Sequence, residues 1–181
     1  YEQIKDMGVT VKAGGSVQSD GYFCWKQRIT KEDRGSGNAV SDWGYEANTM
    51  WMRYAEVLLC AAEAHLAAGN AGKAAEYVNL VRARAKLAPL ASVTLENIKT
   101  EKRLELVGEG QRFQDLLRWG DAEKKMKDNG THYPTLYANG KVEYTPCNHP
   151  THGFKTGKHE RLPYPATEMR LNSEIVQNPG F

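Results

Sequence analysis

Three glutamates recur at intervals of four residues near the middle of the chain, as Glu101, Glu105 and Glu109. Residues four apart lie on one face of an α-helix, where like charges repel each other. Such a row is costly on a solvated helix, whereas a partly buried helix can neutralise it with basic side chains. The spacing therefore predicts a helix whose acidic face belongs to an ionic network. The obvious basic candidates nearby in the sequence are Arg103, Arg112 and Arg118.

Short local signals mark the ends of this helix. Thr94 is a favourable N-cap, and Glu96 would lie in the first turn, where the helix dipole favours an anion. Gly108 and Gly110 predict a turn after the glutamate row. Apolar residues then resume at helical spacing, which predicts a second helix. Its core-facing side would be formed by Phe113, Leu116 and Leu117.

The stretch from Trp51 to Pro89 has the pattern of two helices joined by a short turn. Gly69 predicts the end of the first helix, Asn70 the N-cap of the second, and Pro89 the end of the second. So short a connection makes the helices antiparallel, as in a tetratricopeptide-type hairpin. Cys60 would be a small buried residue. The predicted apolar stripes are Tyr54, Leu58, Ala61, Ala62, His65 and Leu66, followed by Ala74, Tyr77, Val78, Val81 and Ala85.

The remaining sequence is irregular, and we expect a mostly α-helical fold of antiparallel hairpins with long loops and short β-hairpin pieces. No helix is predicted from residue 131 to residue 159, where Asn139-Gly140 is a signal for a β-hairpin. One or two helical turns are expected after Pro165. The expected organisation has three parts. These are a loop-rich aromatic segment over 1–50, helical hairpins over 51–128, and an irregular tail packed on the helices over 129–181.

Composition and motifs exclude several classes of function. The net charge of +2 gives no electrostatic basis for binding nucleic acid or an anionic membrane. The sequence contains no P-loop, dinucleotide fingerprint or serine-nucleophile elbow. A glycosidase needs two carboxylates facing each other across a cleft, which a row along one helix cannot provide. We therefore predict no catalysis and no cofactor.

A loop near the C-terminus contains residues that can bind metals. Thiol and imidazole groups are zinc ligands. However, the spacings match no zinc-finger pattern, and Pro150 restricts the backbone. We predict a polar loop without a metal. The residues concerned are Cys147, His149, His152, His159 and Glu160.

Tryptophans in the glycine-rich first part of the chain are candidate ligand contacts. Aromatic rings on a loop can stack against the apolar faces of sugar rings, while amide and carboxylate groups bind the hydroxyls. The commoner role of a tryptophan is to bury area and anchor a loop. Exposure on the lining of a concavity would favour ligand binding, whereas burial of all the candidate tryptophans against the helices would favour a scaffold. The candidates are Trp25, Trp43 and Trp51 for stacking, with Asn38 and Asp42 for hydrogen bonds.

Three motifs in order resemble the C-terminal part of the SusD/RagB family, the surface nutrient-binding lipoproteins of the Bacteroidetes. The resemblance covers about residues 22–181. Val107-Gly108 stands where the family often has Ala-Phe, and Tyr164 where Ile is usual, and both look like packing changes. The motifs are RYAEVLL at 53–59 with AEA at 62–64, EKRLEL at 101–106 with EGQRF at 109–113 and DLLRW at 115–119, and PYP at 163–165 with Glu168 and QNPGF at 177–181.

The resemblance implies a non-catalytic protein at the outer face of the outer membrane. An N-terminal lipid anchor, expected upstream of this chain, would hold it there. It would pass an oligosaccharide or other nutrient to a SusC-like TonB-dependent transporter. The motif residues would be structural and tie two helices together, namely Glu105, Glu109, Arg112, Asp115 and Arg118. The alternative is a helical-repeat scaffold for protein interactions, with no ligand site in this chain.

Overall fold

The computed structural model describes residues 14–20, 26, 50–149 and 152–181. These residues fall into two compact units. One comprises residue 26 and residues 50–112, and the other comprises residues 14–20, 113–149 and 152–181. The three-part division expected from the sequence stays a prediction. In the part of the chain that is described, no helix has the length and apolar character to cross a membrane.

The first unit is built on a helical hairpin, α1 (Tyr54–Ala67) and α2 (Ala71–Arg84), as the sequence predicts. Gly69 adopts a φ of 80°, which a glycine allows at low cost. Asn70 occupies the N-cap position, but its side chain forms no capping hydrogen bond. The two helices and the following segment share one apolar core. Its buried members are Ala55, Leu58, Leu59, Ala62, Val78, Val81, Val93 and Ile98.

The buried face of α1 includes Leu58 and Ala62 of the predicted stripe but is shifted toward Ala55 and Leu59. The predicted stripe began at Tyr54, but this side chain is 72% exposed, and the buried row begins at Ala55. Neighbouring residues differ by about 100° around a helix, so this shift moves a side chain out of the core. Cys60 is also exposed, contrary to the prediction that it is buried. The second helix ends at Arg84, before Pro89, and leaves Ala85 exposed.

The third helix, α3 (Leu95–Glu105), begins as predicted but ends early. The Thr94 hydroxyl accepts from the backbone N–H of Asn97, and the Asn97 side chain accepts from the N–H of Thr94, which forms a capping box. Ile98 is fully buried in the core. Because α3 ends at Glu105, Glu109 lies in the turn that follows and does not share the helical face.

The second unit contains a three-stranded antiparallel sheet in the order β1 (Ser16–Val17), β2 (His132–Tyr137), β3 (Val142–Pro146). The β2–β3 hairpin turns at Asn139-Gly140, as predicted, with Leu136 opposite Val142. β1 was not predicted, since two residues carry too little pattern to identify a strand. Leu136 is buried at the centre of this sheet.

Three short helices complete the second unit. They are α4 (Arg112–Arg118), which begins at the last residue of the first unit, α5 (Ala122–Met126) and α6 (Ala166–Leu171). Leu116, Ala122 and Phe154 form a small buried core, and the rings of Phe113 and Phe154 meet edge to face. The fold is therefore mostly helical with a small antiparallel sheet, which confirms the predicted fold class.

Candidate functional site

Arg53 binds two of the three glutamates of the predicted acidic row. It precedes α1 in extended conformation, so its side chain is directed by contacts rather than by helix geometry. Its Nε donates to Oε2 of Glu109 at 2.6 Å, and its Nη2 donates to Oε1 of Glu109 at 2.8 Å. Nη2 also donates to Oε1 of Glu105 at 2.9 Å. One guanidinium thereby joins the end of α3, the turn after it and the chain entering α1.

Lys26 completes this arrangement. Its Nζ donates to Oε1 of Glu109 at 2.8 Å and to the carbonyl oxygen of Glu105. We call the group formed by Lys26, Arg53, Glu105 and Glu109 the ionic clamp. The clamp joins three stretches of chain that are far apart in the sequence.

The end of α2 supplies further cations to the same glutamate row. Nη2 of Arg84 donates to both carboxylate oxygens of Glu105 at 2.8 Å. Nη1 of Arg82 donates to Glu101 at 2.8 Å. Both carboxylates are largely buried. The network therefore fixes α3 to the C-terminal end of the helical hairpin.

The electrostatics of the clamp favour the charged form of Glu109. Burial raises the pKa of Glu109, but the hydrogen bonds from Arg53 and Lys26 outweigh that effect, so its pKa lies below the usual range. The hydrogen bond to Glu109 is in turn the main reason that the pKa of Arg53 is raised. Arg53 and Glu109 are thus both charged at neutral pH.

An exposed apolar segment leads directly into the clamp. Trp51 is 88% exposed, and Met50 and Met52 on either side are also exposed. Tyr54 follows Arg53 and is exposed as well. We call residues 50–54 the aromatic segment. Solvent-exposed apolar side chains at consecutive positions mark an interaction surface.

The structure places only one of the five predicted ligand residues. Trp51 is exposed, which meets the first of the two conditions for ligand binding, and its place on the lining of a concavity stays a prediction. The other four, Trp25, Asn38, Asp42 and Trp43, lie outside the described residues.

Comparison with known proteins now identifies the family. The family model described as the SusD family matches residues 2–181. The chain belongs to the SusD family. A SusD-like protein P2 from Formosa agariphila is 32% identical over 173 residues, which cover 86% of this chain and 30% of that protein. A SusD-like protein from Bacteroides ovatus is 31% identical over 122 residues, which cover 66% of this chain and 21% of that protein.

Solved structures of SusD-like proteins resemble this chain in fold and sequence. Surface glycan-binding protein A from Bacteroides thetaiotaomicron matches with a TM-score of 0.58 and 33% identity, covering 75% of this chain and 25% of that one. Surface glycan-binding protein A from Bacteroides uniformis matches with a TM-score of 0.52 and 35% identity, covering 71% of this chain and 27% of that one. The chain thus spans about a quarter of the length of these SusD-like structures.

The SusD-family motif residues Glu105, Glu109, Asp115 and Arg118 form ion pairs, but the partners of the glutamates differ from the prediction. Cations from outside residues 101–119 neutralise the glutamate row, where Arg103, Arg112 and Arg118 were predicted. Nη2 of Arg118 instead lies 2.9 Å from Oδ1 of Asp115, within α4. The cations that pair with the glutamates are Lys26, Arg53, Arg82 and Arg84.

Arg53 belongs to the RYAEVLL motif, but the sequence does not indicate its partners. The four-residue spacing of the glutamates shows that cations are needed, but their source depends on which helix packs against α3. The signal that could have suggested Arg53 is its position directly before the start of α1. A side chain at this position does not take part in the i,i+4 pairs within the helix.

Two of the residues considered for a metal site, His159 and Glu160, serve other contacts. His159 Nδ1 accepts from the backbone N–H of Lys155 at 2.9 Å, and its ring packs against Phe154. The Glu160 carboxylate accepts from the N–H of Gly157 at 2.9 Å, which lowers the pKa of Glu160. Among the described residues, no three His, Cys, Asp or Glu side chains are grouped to hold a metal ion.

Proposed function

We propose that this chain is part of a surface nutrient-binding protein that captures an oligosaccharide or other nutrient without chemical conversion. Membership of the SusD family supports this, as do the similar proteins named surface glycan-binding protein A. The observation that carries the proposal is the 88% exposure of Trp51 beside an anchored arginine. An exposed indole can stack on the apolar face of a sugar ring.

The proposed ligand surface combines Trp51 with candidates outside the described residues. Trp25 and Trp43 would extend the aromatic platform, and Asn38 and Asp42 would bind hydroxyl groups. Such a surface is shallow, so few buried contacts oppose the cost of ordering the ligand. We expect affinities in roughly the micromolar to millimolar range.

We further propose where the protein acts. A lipid anchor upstream of this chain would hold it at the outer face of the outer membrane. There it would cooperate with a SusC-like TonB-dependent transporter that imports the captured nutrient. This part of the proposal rests on family membership alone.

Tryptophan fluorescence tests the binding proposal. The chain is titrated with a panel of polysaccharides, using a Trp119→Phe variant to remove the tryptophan that stacks on Arg118. We expect a saturable change with one class of glycan, and roughly tenfold weaker binding in Trp51→Ala. Tyr144→Ala is the matched control, because Tyr144 is also an exposed aromatic residue, on β3. A flat response from a folded chain across the whole panel would refute glycan binding by this chain.

A protein-interaction scaffold is the second candidate function. Tyr54, Val57 and Cys60 are spaced three apart on α1, and all three are exposed. Residues at this spacing are neighbours on one helical face, so they form an apolar strip suited to another helix. Light scattering that shows association abolished by Val57→Lys, together with a flat glycan titration, would favour the scaffold over ligand binding.

A further inference from the structure

One carboxylate in the first unit binds cations from two separate stretches of chain. Oε1 and Oε2 of Glu109 accept from Arg53 at 2.8 and 2.6 Å, and Oε1 also accepts from Lys26 at 2.8 Å. Glu109 itself lies in the turn after α3, not in a helix. Glu109 therefore does not stabilise a helical face. Its carboxylate instead bridges the side chains of Arg53 and Lys26.

Both cations lie within two residues of a tryptophan in the sequence. Lys26 directly follows Trp25, and Arg53 is two residues beyond Trp51. Consecutive Cα atoms are about 3.8 Å apart, so a fixed side chain at one position restricts the backbone of its neighbours. By holding Arg53, Glu109 thereby restrains the backbone close to Trp51.

The exposure of Trp51 shows that its own packing does not hold it. With 88% of its surface exposed, its ring has few contacts that could fix its position. Two residues along the chain lies the guanidinium of Arg53, which is held by charge-assisted hydrogen bonds of 2.6–2.9 Å. The orientation of the aromatic segment therefore depends on the clamp.

We propose that Glu109 is a positioning residue for the ligand surface. Through Arg53 and Lys26 it holds the aromatic segment and the chain at residue 26 at a fixed spacing. This inference rests on the proposed function, since it assigns Glu109 a role in glycan affinity. A pre-organised aromatic surface avoids part of the ordering cost of binding. Loss of the bridge should weaken glycan binding about three- to tenfold without unfolding the chain.

Glu105 and Glu109 have separable roles within the clamp. Glu105 bonds Arg53 and Arg84, which flank the helical hairpin, so its carboxylate stabilises the hairpin. Lys26 donates to the Glu109 carboxylate, whereas its contact with Glu105 is to the backbone carbonyl oxygen, which a substitution of the Glu105 side chain leaves in place. A substitution at Glu109 or Lys26 therefore tests positioning, whereas one at Glu105 mainly tests stability.

The experiment compares Glu109→Gln and Lys26→Met with Glu76→Gln. Glu76 pairs with Lys73 on the exposed side of α2, so its variant loses an ion pair of the same kind away from the clamp. Circular dichroism and the urea midpoint establish that each variant is folded. The affinity is measured for the polysaccharide that the unaltered chain binds best. Lys26→Arg keeps the cation and should restore binding.

A second readout needs no ligand. In a chain whose other tryptophans are replaced by Phe, time-resolved fluorescence anisotropy reports the local motion of Trp51. We expect a larger fast component in Glu109→Gln and Lys26→Met, and no change in Glu76→Gln. If Glu109→Gln is unfolded, Lys26→Met carries the test, because its side chain is partly exposed.

The outcomes separate this inference from the proposed function. Weaker binding together with faster Trp51 motion supports both. Unchanged affinity in folded Glu109→Gln and Lys26→Met overturns the positioning role, even where the unaltered chain binds glycan. If the unaltered chain binds no glycan, the proposed function fails. The anisotropy of Trp51 then still tests whether the clamp positions the aromatic segment. Unchanged Trp51 motion in the variants would show that it does not.

Discussion

The guanidinium of Arg53 and the carboxylate of Glu109 meet in two parallel hydrogen bonds, Nε to Oε2 at 2.6 Å and Nη2 to Oε1 at 2.8 Å. This fork geometry is specific to arginine, because an ammonium group is a single point of charge. Arg53 also reaches Oε1 of Glu105 at 2.9 Å. One cation therefore offsets the repulsion between two carboxylates at the end of α3.

Replacing Arg53 should destabilise the first unit strongly. Arg53→Met leaves two partly buried carboxylates without their shared cation, which should cost about 2–4 kcal/mol in the free energy of unfolding. Arg53→Lys should cost less, about 1–2 kcal/mol, because the charge remains while the fork is lost. Urea unfolding measures both.

Lys73→Met is the control for the Arg53 variants. Lys73 pairs with Glu76 at the surface of α2, and removing such an exposed pair should change stability much less than removing Arg53 does. The clamp would be energetically unimportant if Arg53→Met cost no more than Lys73→Met.

The stability contributed by Glu109 should depend on pH in one direction. Its pKa is lowered in the folded chain from an ordinary value of 4.5. A lowered pKa means that the folded state favours the carboxylate, so the stabilisation is complete above about pH 4.5 and is lost as the pH falls below it. The difference in unfolding free energy between the unaltered chain and Glu109→Gln should therefore shrink on acidification.

Urea unfolding of both proteins from about pH 7 to about pH 3 measures this difference. The comparison removes the contributions of titrating groups away from the clamp, which the two proteins share. A gap that stays constant or widens below pH 4.5 would contradict the stabilising role of the ionised Glu109.

Features that depend on neighbouring residues were predictable from the sequence. Thr94 was identified as the cap of α3 because its hydroxyl serves an N–H within the next turn. Asn139-Gly140 was identified as a hairpin turn because its backbone requirements are local. Gly69 likewise predicted the end of α1. These residues determine structure through their own conformational preferences.

Features that depend on packing were not predictable in the same way. The partners of Glu105 and Glu109 come from residues 21 to 83 positions away in the sequence. Nothing within α3 indicates which cations fold onto it, so nearby arginines were wrongly chosen. The exposure of Tyr54 was not predictable for a related reason. Which of two adjacent apolar stripes of a helix is buried depends on where the partner helix packs.

Asn79 should stabilise the loop between α2 and α3. Its side-chain Nδ2 donates to the carbonyl oxygen of Leu90 at 3.0 Å, and its Oδ1 accepts from the Leu90 N–H at 2.8 Å. Asn79→Ala removes both bonds and leaves two backbone groups without partners, which should cost about 1–3 kcal/mol. Thermal unfolding followed by circular dichroism measures the loss.

Asn79→Asp is the informative comparison, because aspartate keeps the acceptor for the Leu90 N–H but cannot donate when ionised. It should be less stable than the unaltered chain and should recover as the carboxyl is protonated at low pH. Equal stability of Asn79→Asp and the unaltered chain would show that the bond to the Leu90 carbonyl contributes nothing.

Gly153 and Gly157 provide a matched test of close packing in the second unit. Both have left-handed backbone conformations, with φ of 77° and 81°. A Cβ at Gly153 would overlap the backbone carbonyl of Lys127, whereas a Cβ at Gly157 would meet nothing within 4 Å. The Gly153 N–H also donates to the carbonyl oxygen of Asn129 at 2.8 Å, so this stretch cannot move away without losing that bond.

Gly157→Ala should therefore cost only the strain of the left-handed conformation, about 1–2 kcal/mol. Gly153→Ala should cost at least about 2 kcal/mol more, because the clash is with backbone and forces the chain to shift. Urea unfolding and hydrogen exchange of the second unit measure both variants. Equal destabilisation of the two would show that the loop around Gly153 relaxes freely and is not held against Lys127.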